Sequence, residues 1–335
     1  MIAANRGGDP LELSKEKQQI LQMPDAEVRR LLRLAQGDRS PAPASPAAPA
    51  QKEDIQKTLQ GIVGLEEAKQ VLKQIVAYHR LQTEANRRGI ALKNRSCHMC
   101  FAGNPGTAKT SFARVCARVF QMEGICSRNV FHEVGRADLV ASYSGQTAPR
   151  VKKAIRDAAG GVLFIDEAYS LLEDKEGGYG DEAIAALVQE LDNCRDVIVI
   201  FAGYPDKMAE FLSRNPGLRS RIPFVVRFPD YSCEELLKIA RHIAQRGGFR
   251  LDPGAESAIE SIVKRDLGKP EFGNGRYIRN LVEAAQMNRA CSLVYGTDLS
   301  GVSDAELFVL RAEDFKRPAG IVGGGSRKPI GFSPA

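Results

Sequence analysis

The stretch "GNPGTAKT", residues 103–110, decides how we interpret the rest of the chain. It departs from the phosphate-binding pattern G-x-x-x-x-G-K-[ST] at one position, where Ala108 replaces the last glycine. An apolar run, "CHMCFAG", precedes the stretch, and an amphipathic helical pattern follows it. A strand, a glycine-rich loop and a helix N-terminus in this order let backbone N–H groups surround phosphate oxygens. The stretch therefore predicts a nucleotide-binding loop.

Two side chains of this loop have expected roles. We expect Lys109 to contact the β- and γ-phosphates as a point charge, and Thr110 to bind Mg²⁺. Ala108 leaves two possibilities open. At a positive φ its methyl group would cost about 1–2 kcal/mol, whereas at a helical φ it would cost little. The residues expected to contact ATP are Asn104, Pro105, Gly106, Thr107, Ala108, Lys109, Thr110 and Ser111.

A second motif, "GGVLFIDEA" at residues 160–168, is an apolar strand pattern that ends in two acids. Asp166 can hold Mg²⁺ through water, and Glu167 can orient and deprotonate an attacking water. An Asp-Glu pair that stands alone at the end of a strand usually has no catalytic role and merely terminates the strand. Together with the upstream glycine loop, it indicates nucleotide hydrolysis.

Short apolar runs alternate with helical patterns through the middle of the chain. A series of this kind is typical of a parallel sheet covered by helices on both faces, so we expect an α/β fold. The predicted strands are 97–103, 129–135, 160–168, 196–203 and 222–229, and the predicted helices are 109–121, 147–159, 181–193 and 206–213. After Asp230 we expect no further strands. Ser232 and Glu235 form a capping-box pattern, and two or three more helices follow.

Composition limits the classes of function. The 335 residues are 43% hydrophobic with a net charge of +6, and the basic residues are dispersed among acids. Nucleic acid is therefore not an expected partner. No apolar run reaches the roughly 20 residues that a membrane helix needs, and no secretory signal begins the chain, so we expect a cytoplasmic protein. We interpret Cys97 and Cys100 as part of a buried strand and not as metal ligands.

Taken together, the motifs resemble those of the AAA+ ATPases. Within that superfamily the chain is similar to the group containing the red-type Rubisco activase CbbX and stage V sporulation protein K. The strings that carry the likeness are "IVGLEEAKQVLKQ", "GNPGTAKT", "YSGQTAPRVKKAI", "GGVLFIDEAYSL", "NPGLRSRIPFVVRFPDYS" and "GNGRYIRN". The resemblance implies a five-stranded α/β ATPase domain, a helical lid domain, ATP and Mg²⁺ as ligands, and a homo-oligomer, usually a hexameric ring. Other AAA+ branches, such as the replicative MCM helicases, also carry alanine at the position of Ala108.

The resemblance also implies a division of the chain. We expect an N-terminal helical segment at 1–39, a Pro/Ala-rich linker at 40–52, the AAA+ α/β domain at 53–229, the lid at 230–318 and a flexible tail at 319–335.

Residue roles carry over by position. Ile62, Val63 and Gly64 match the adenine-contacting segment, and Arg276 matches the sensor 2 arginine, which touches the γ-phosphate from the lid. The fourth strand ends in "IFAGYPD", where many AAA+ proteins have a sensor 1 Asn or Thr, and Tyr204 is a candidate to replace it.

Arg219 and Arg221, in "LRSRIP", match the finger region, from which one subunit supplies an arginine to its neighbour's site. We favour Arg221 as the finger because it stands directly before the fifth predicted strand, with Arg219 serving the same interface.

The string "ASYSGQT" matches the pore loop, so Tyr143, Ser144 and Gly145 are expected to grip a client polypeptide. The resulting hypothesis is an ATP-driven motor that remodels a client protein in the centre of a ring. Two alternatives stay open: a nucleotide-gated assembly protein with little turnover, suggested by Ala108, and a DNA-acting ATPase of the clamp-loader or branch-migration kind. Steep salt dependence of DNA binding would indicate the last of these.

Overall fold

A computed structural model describes most of the chain from residue 55 to residue 315. The described residues are 55–93, 95–143, 145–172, 178–193, 196–269, 272–296 and 303–315. All of them belong to one compact unit, Lys52–Ala335. The expected N-terminal helical segment, the Pro/Ala-rich linker and the C-terminal tail lie outside the described residues.

The described residues before 230 contain five strands and eight helices. The strands are β1 Met99–Gly103, β2 Phe131–Val134, β3 Val162–Ile165, β4 Ile198–Gly203 and β5 Phe224–Phe228. The helices are α1 Ile55–Gln60, α2 Glu66–Arg87, α3 Lys109–Met122, α4 Arg136–Leu139, α5 Thr147–Asp157, α6 Tyr179–Asn193, α7 Pro205–Arg214 and α8 Pro216–Arg221. A 3₁₀ helix, Ala168–Leu172, follows β3.

The five strands form one sheet in the order β2-β3-β4-β1-β5, and every neighbouring pair is parallel. In register, Met99 pairs with Ile200 on β4 and with Phe224 on β5. The predicted five-stranded α/β fold is therefore confirmed. The carboxyl ends of β1 and β3 come to the same edge of the sheet, which is where ligands bind in open α/β folds.

Alternate side chains of the central strands enter two separate cores. Phe101 and Phe164 point to the core shared with α2 and α3, whereas Leu163 and Phe201 point to the core shared with α5, α6 and α7. Both faces of the sheet are thus buried, which explains why these strands are apolar throughout. The described helices include none long and apolar enough to cross a membrane.

The C-terminal part contains helices α9 Cys233–Arg246, α10 Pro253–Asp266, α11 Asn274–Gly296 and α12 Asp304–Leu307. The capping box is confirmed, because Glu235 N donates to Ser232 Oγ (3.2 Å) and Ser232 N donates to Glu235 Oε2 (2.8 Å). The expectation of no further strands is wrong. Strands β6 Arg250–Leu251 and β7 Val309–Leu310 form a small parallel sheet. Two-residue strands are too short to produce a period-2 pattern, so periodicity does not reveal them.

The C-x-x-C segment is part of the core. Cys100 is fully buried in β1, and burial raises the pKa of its thiol to about 12. His98 is buried beside it and accepts a hydrogen bond from Val199 N at Nδ1 (3.0 Å), while burial lowers its pKa to about 4. A neutral imidazole and a protonated thiol fit a structural role. No cluster of metal-ligating side chains occurs within the described part of the chain.

Candidate functional site

A cleft of about 520 Å³ opens at the carboxyl edge of the sheet, between the glycine loop and the first lid helix, α9. Its volume lies in the range of roughly 300–1,000 Å³ that is usual for small-molecule sites. It brings together most of the residues expected to bind ATP or to catalyse its hydrolysis. These are Ile62, Val63, Pro105, Gly106, Ala108, Lys109, Thr110, Ser111, Asp166, Glu167 and Arg276.

The glycine loop has left-handed backbone at two positions. Gly106 has φ +73°, and a Cβ atom on it would lie 2.0 Å from the lid carbonyl of Gly273, so only glycine fits there. Ala108 has φ +65°, directly before helix α3. The loop thus keeps its fold, but Ala108 adopts the left-handed conformation, which glycine would hold with less strain.

Replacing Ala108 with glycine is expected to raise the free energy of unfolding by about 1 kcal/mol, because the strain of a left-handed alanine is removed. Since this energy corresponds to roughly a fivefold change in rate, ATP turnover should change by less than about tenfold. Urea unfolding and phosphate release measure the two effects. Ala258→Gly, within helix α10, is the matched control and should destabilise the protein. A turnover increase far above tenfold would instead favour the alternative of a slow assembly protein.

Lys109 faces the loop's own carbonyl groups. Its Nζ donates to Gly103 O and to Asn104 O, each at 2.8 Å. Burial lowers the pKa of Lys109; Arg276 acts in the same direction, and the carboxylates of Asp166 and Glu167 oppose it. All four side chains line the cleft, so two cations and two anions share it. Such a set can hold a polyphosphate and a divalent cation together.

The two acids directly follow strand β3. Asp166 N donates to Val134 O (3.0 Å), which continues the β2–β3 ladder, and Glu167 N donates to Asp166 Oδ1 (3.0 Å). Glu167 has φ +48°, which is uncommon outside glycine, and its side chain is exposed to the cleft. Sparsely populated backbone conformations of this kind concentrate at functional sites.

Three expected ligand residues do not line the cleft. Gly64 has φ +62°, and a Cβ atom on it would lie 2.2 Å from Glu235 Oε1, so its glycine is required for packing against α9. Asn104 Nδ2 donates to both carboxylate oxygens of Asp230 (3.1 and 3.0 Å). Thr107 is fully buried, and its hydroxyl donates to Asn104 O (2.8 Å). These three residues thus hold neighbouring segments of the site in place and do not line the cleft themselves.

The lid reaches the glycine loop through the start of α11. Gly275 N donates to Gly106 O (3.0 Å), and Asn274 Nδ2 donates to Pro105 O (3.3 Å) and to Asp230 Oδ1 (2.7 Å). Arg276 is thereby placed at the cleft, as the resemblance implied. A movement of the lid must therefore change contacts to the glycine loop.

Apart from Arg276, sequence reasoning missed the residues that the lid contributes to the cleft. Ile239, His242 and Ile243 lie at i, i+3 and i+4 on α9, and Tyr231 precedes that helix. The same spacing is produced by an ordinary core-facing helix, so periodicity alone could not distinguish the two. Arg246 and Arg279 add two further cations to the lining. Tyr204, the sensor 1 candidate, also lines the cleft.

The two finger candidates lie outside this cleft, on α8. Arg221 Nε donates to Asp192 Oδ1 (2.7 Å), a second bond joins the same pair, and Nη1 donates to Gly217 O (2.8 Å). The hydrogen bond from Arg221 holds the pKa of Asp192 below its usual range. Arg219 is exposed and makes no side-chain hydrogen bond or ion pair with any other described residue.

The pore-loop candidates are also separate from the cleft. Tyr143 is 71% exposed, between α4 and α5. Gly145 is exposed with φ +77°, and a Cβ atom on it would meet nothing within 4 Å. Ser144 lies outside the described residues.

Comparisons with known proteins agree with this architecture. The profile of the family described as "ATPase family associated with various cellular activities (AAA)" matches residues 99–229, and the AAA lid domain profile matches residues 232–322. The structure is similar to the crystal structure of the FIGL-1 AAA domain in complex with ADP, with a TM-score of 0.53 and 20% identity over 77% of this chain and 81% of that one. At that identity the likeness concerns the fold alone.

Curated relatives are more similar in sequence. Protein CbbX of Cereibacter sphaeroides is 38% identical over 82% of this chain and 89% of its own length. The chloroplastic ribulose bisphosphate carboxylase/oxygenase activase of Cyanidioschyzon merolae is 38% identical over 76% of this chain and 87% of its own length. Stage V sporulation protein K of Bacillus subtilis is 36% identical over 78% and 81%. The chain therefore belongs to the AAA+ family of ATPases, in the group of CbbX and stage V sporulation protein K, and it hydrolyses ATP.

Proposed function

We propose that the chain is an ATP-driven motor that remodels a client protein by engaging a peptide segment in the central pore of a hexameric ring. The observation that carries the proposal is the exposed Tyr143, on a loop of the same α/β unit that forms the ATP cleft. A tyrosine 71% exposed adds little to the core, whereas an exposed ring can contact many peptide sequences through its area. We assign residues 53–229 to the ATPase domain and 230–318 to the lid.

The residues of the cleft fit ATP and Mg²⁺. Gly106 gives the loop its left-handed turn against the lid, and Lys109 supplies a partly buried ammonium group. Thr110 and Asp166 are the residues that would hold Mg²⁺, which neutralises phosphate charge when it is bound. Lys109 Nζ has three N–H donors, and two of them are bound to loop carbonyls. If more than one of them turns to phosphate oxygens, nucleotide binding changes contacts within the loop.

Catalysis is assigned to side chains around the γ-phosphate. Glu167 accepts a proton from the attacking water, and Arg276 stabilises phosphate charge from the lid of the same chain. Ile62 and Val63 contact the adenine from one side, and Ile239 on α9 contacts it from the other. An adenine ring held between the two domains couples the angle of the lid to the presence of nucleotide in the cleft.

For the finger, the contacts of the two arginines favour Arg219. Arg221 is held by Asp192 and Gly217, whereas Arg219 is exposed and has no such partner in the described structure. We therefore propose that Arg219 enters the neighbouring subunit's site and that Arg221 positions helix α8. This assignment reverses the order favoured on sequence position alone.

The motor function is tested with an unfolded protein as probe, fluorescein-labelled casein. We expect the Glu167→Gln protein with ATP to bind casein, and expect Tyr143→Ala in that background to weaken binding by about 5- to 10-fold, as loss of one aromatic contact costs about 1–1.5 kcal/mol. Tyr143→Phe should retain binding. Tyr295→Ala, an exposed lid tyrosine, is the matched control.

Casein binding that is indifferent to Tyr143 would contradict the pore role. Binding of random DNA that falls steeply with salt would instead support the clamp-loader alternative.

A further inference from the structure

The segment after Glu167 is well placed to respond to nucleotide. Ser170 N donates to Glu167 O (2.8 Å), which joins the proposed base to the 3₁₀ helix Ala168–Leu172. In that helix, Tyr169 is buried and packs against Tyr204 of the cleft, with ring centroids 5.7 Å apart. The 3₁₀ helix therefore contacts two elements that line the ATP site.

Arg136 connects this 3₁₀ helix to helix α4. Its Nη1 donates to Ser170 O (2.5 Å), a carbonyl of a buried residue. Arg136 is the first residue of α4, the short helix that follows β2. A charged donor on a partly buried carbonyl makes a stronger bond than a neutral pair, so α4 and the 3₁₀ helix are held together.

Helix α4 is in turn fixed to the base of the Tyr143 loop. Arg150 Nη1 donates to Ala137 O (3.1 Å), within α4, and to Val140 O (2.9 Å), directly after α4. Ala141, the residue after Val140, donates its N–H to the hydroxyl of the buried Thr147, the first residue of α5 (3.2 Å). The loop tip is exposed, but both of its ends are tied to α4 and α5.

We propose that Arg136 is a positioning residue that couples the nucleotide state at Glu167 to the position of the Tyr143 loop, with Arg150 as the second link. This inference rests on the proposed motor function. The hydrogen bonds run without interruption from Glu167 through Ser170, Arg136 and α4 to the carbonyls that Arg150 holds. Removing either arginine breaks the connection without touching a residue that lines the ATP cleft.

The absence of tryptophan from the chain provides a reporter for the test. Ser142 is exposed beside Tyr143, so Ser142→Trp places a single tryptophan at the loop. Acrylamide quenching of this tryptophan is measured with ADP and with the non-hydrolysable analogue AMP-PNP. We expect the quenching constant to differ between the two nucleotides. Arg136→Met and Arg150→Met should each lower that difference by more than about half.

Two further variants separate coupling from general structure. Arg136→Lys keeps a charged donor for Ser170 O and should restore part of the difference. Arg156→Met removes an exposed arginine of α5 that takes no part in the connection, and it should leave the difference unchanged. Thermal melting and AMP-PNP titration confirm that each variant folds and binds nucleotide. If Arg136→Met does not fold, Arg150→Met alone tests the connection, and a full nucleotide-dependent difference in that variant overturns the inference.

A full nucleotide-dependent difference in Arg136→Met and Arg150→Met would overturn the inference. The same holds if the parent reporter shows no difference between ADP and AMP-PNP. Failure of the motor function is a separate result: an Arg136-dependent reporter combined with casein binding indifferent to Tyr143 would leave the coupling in place and remove the pore role.

Discussion

Replacing Glu167 with glutamine is expected to lower steady-state ATP hydrolysis by about 10²- to 10⁴-fold while ATP binding persists. Glutamine has the shape of glutamate but cannot take the proton of the attacking water. The contacts expected to hold the nucleotide, from Lys109, Thr110 and Asp166, are left in place. Phosphate release measures turnover, and calorimetry with ATP measures affinity.

The matched control is Glu210→Gln. Glu210 is exposed on α7, and among the described residues its carboxylate pairs only with Arg214 at i+4, a surface contact worth little to stability. It should retain full turnover. Lys109→Ala, by contrast, should lose both binding and hydrolysis. Undiminished turnover in Glu167→Gln would remove Glu167 as the base and leave the cleft without an assigned one.

The parts of the fold that could be predicted from sequence are those specified by local patterns. Strand β1 is followed by the glycine loop, and strand β3 is followed by Asp166 and Glu167. Each of these motifs predicts an apolar strand directly before it. The sheet order could not be predicted in this way, because strands β4 and β5 insert beside β1 through pairings distant in sequence. Those pairings depend on the complementary faces of packed helices, which no single segment specifies.

The same distinction explains what was missed at the site. Lys109 and Thr110 are defined by a contiguous motif, but Ile239 and His242 reach the cleft only because the lid folds back over the loop. The conformation of Ala108 also needed coordinates, since alanine occurs at both helical and left-handed φ. Arg221 illustrates a third limit: its position before β5 favoured it as the finger, and only its contacts with Asp192 argued otherwise.

The second large effect concerns the finger. Arg219→Ala is expected to lower ATP turnover by about 10³-fold or more, the effect typical of losing an arginine that stabilises phosphoryl-transfer charge. ATP affinity should change much less, because the arginine acts mainly on the transition state. Since the proposed contact is made between subunits, the variant should be rescued in trans. Mixing Arg219→Ala with Glu167→Gln, each inactive alone, should restore part of the activity.

Recovery in the mixture follows from the geometry of a ring. At some interfaces an intact Glu167 on the Arg219→Ala subunit meets an intact Arg219 from the Glu167→Gln subunit, and that site is complete. An arginine acting within its own chain would give no recovery.

The Asp192→Asn variant distinguishes the roles proposed for Arg219 and Arg221. If Arg221 only positions α8, losing its ion pair should lower turnover as Arg221→Ala does. If Arg221 is instead the finger, Asp192→Asn frees it, and turnover should persist while Arg221→Ala is inactive.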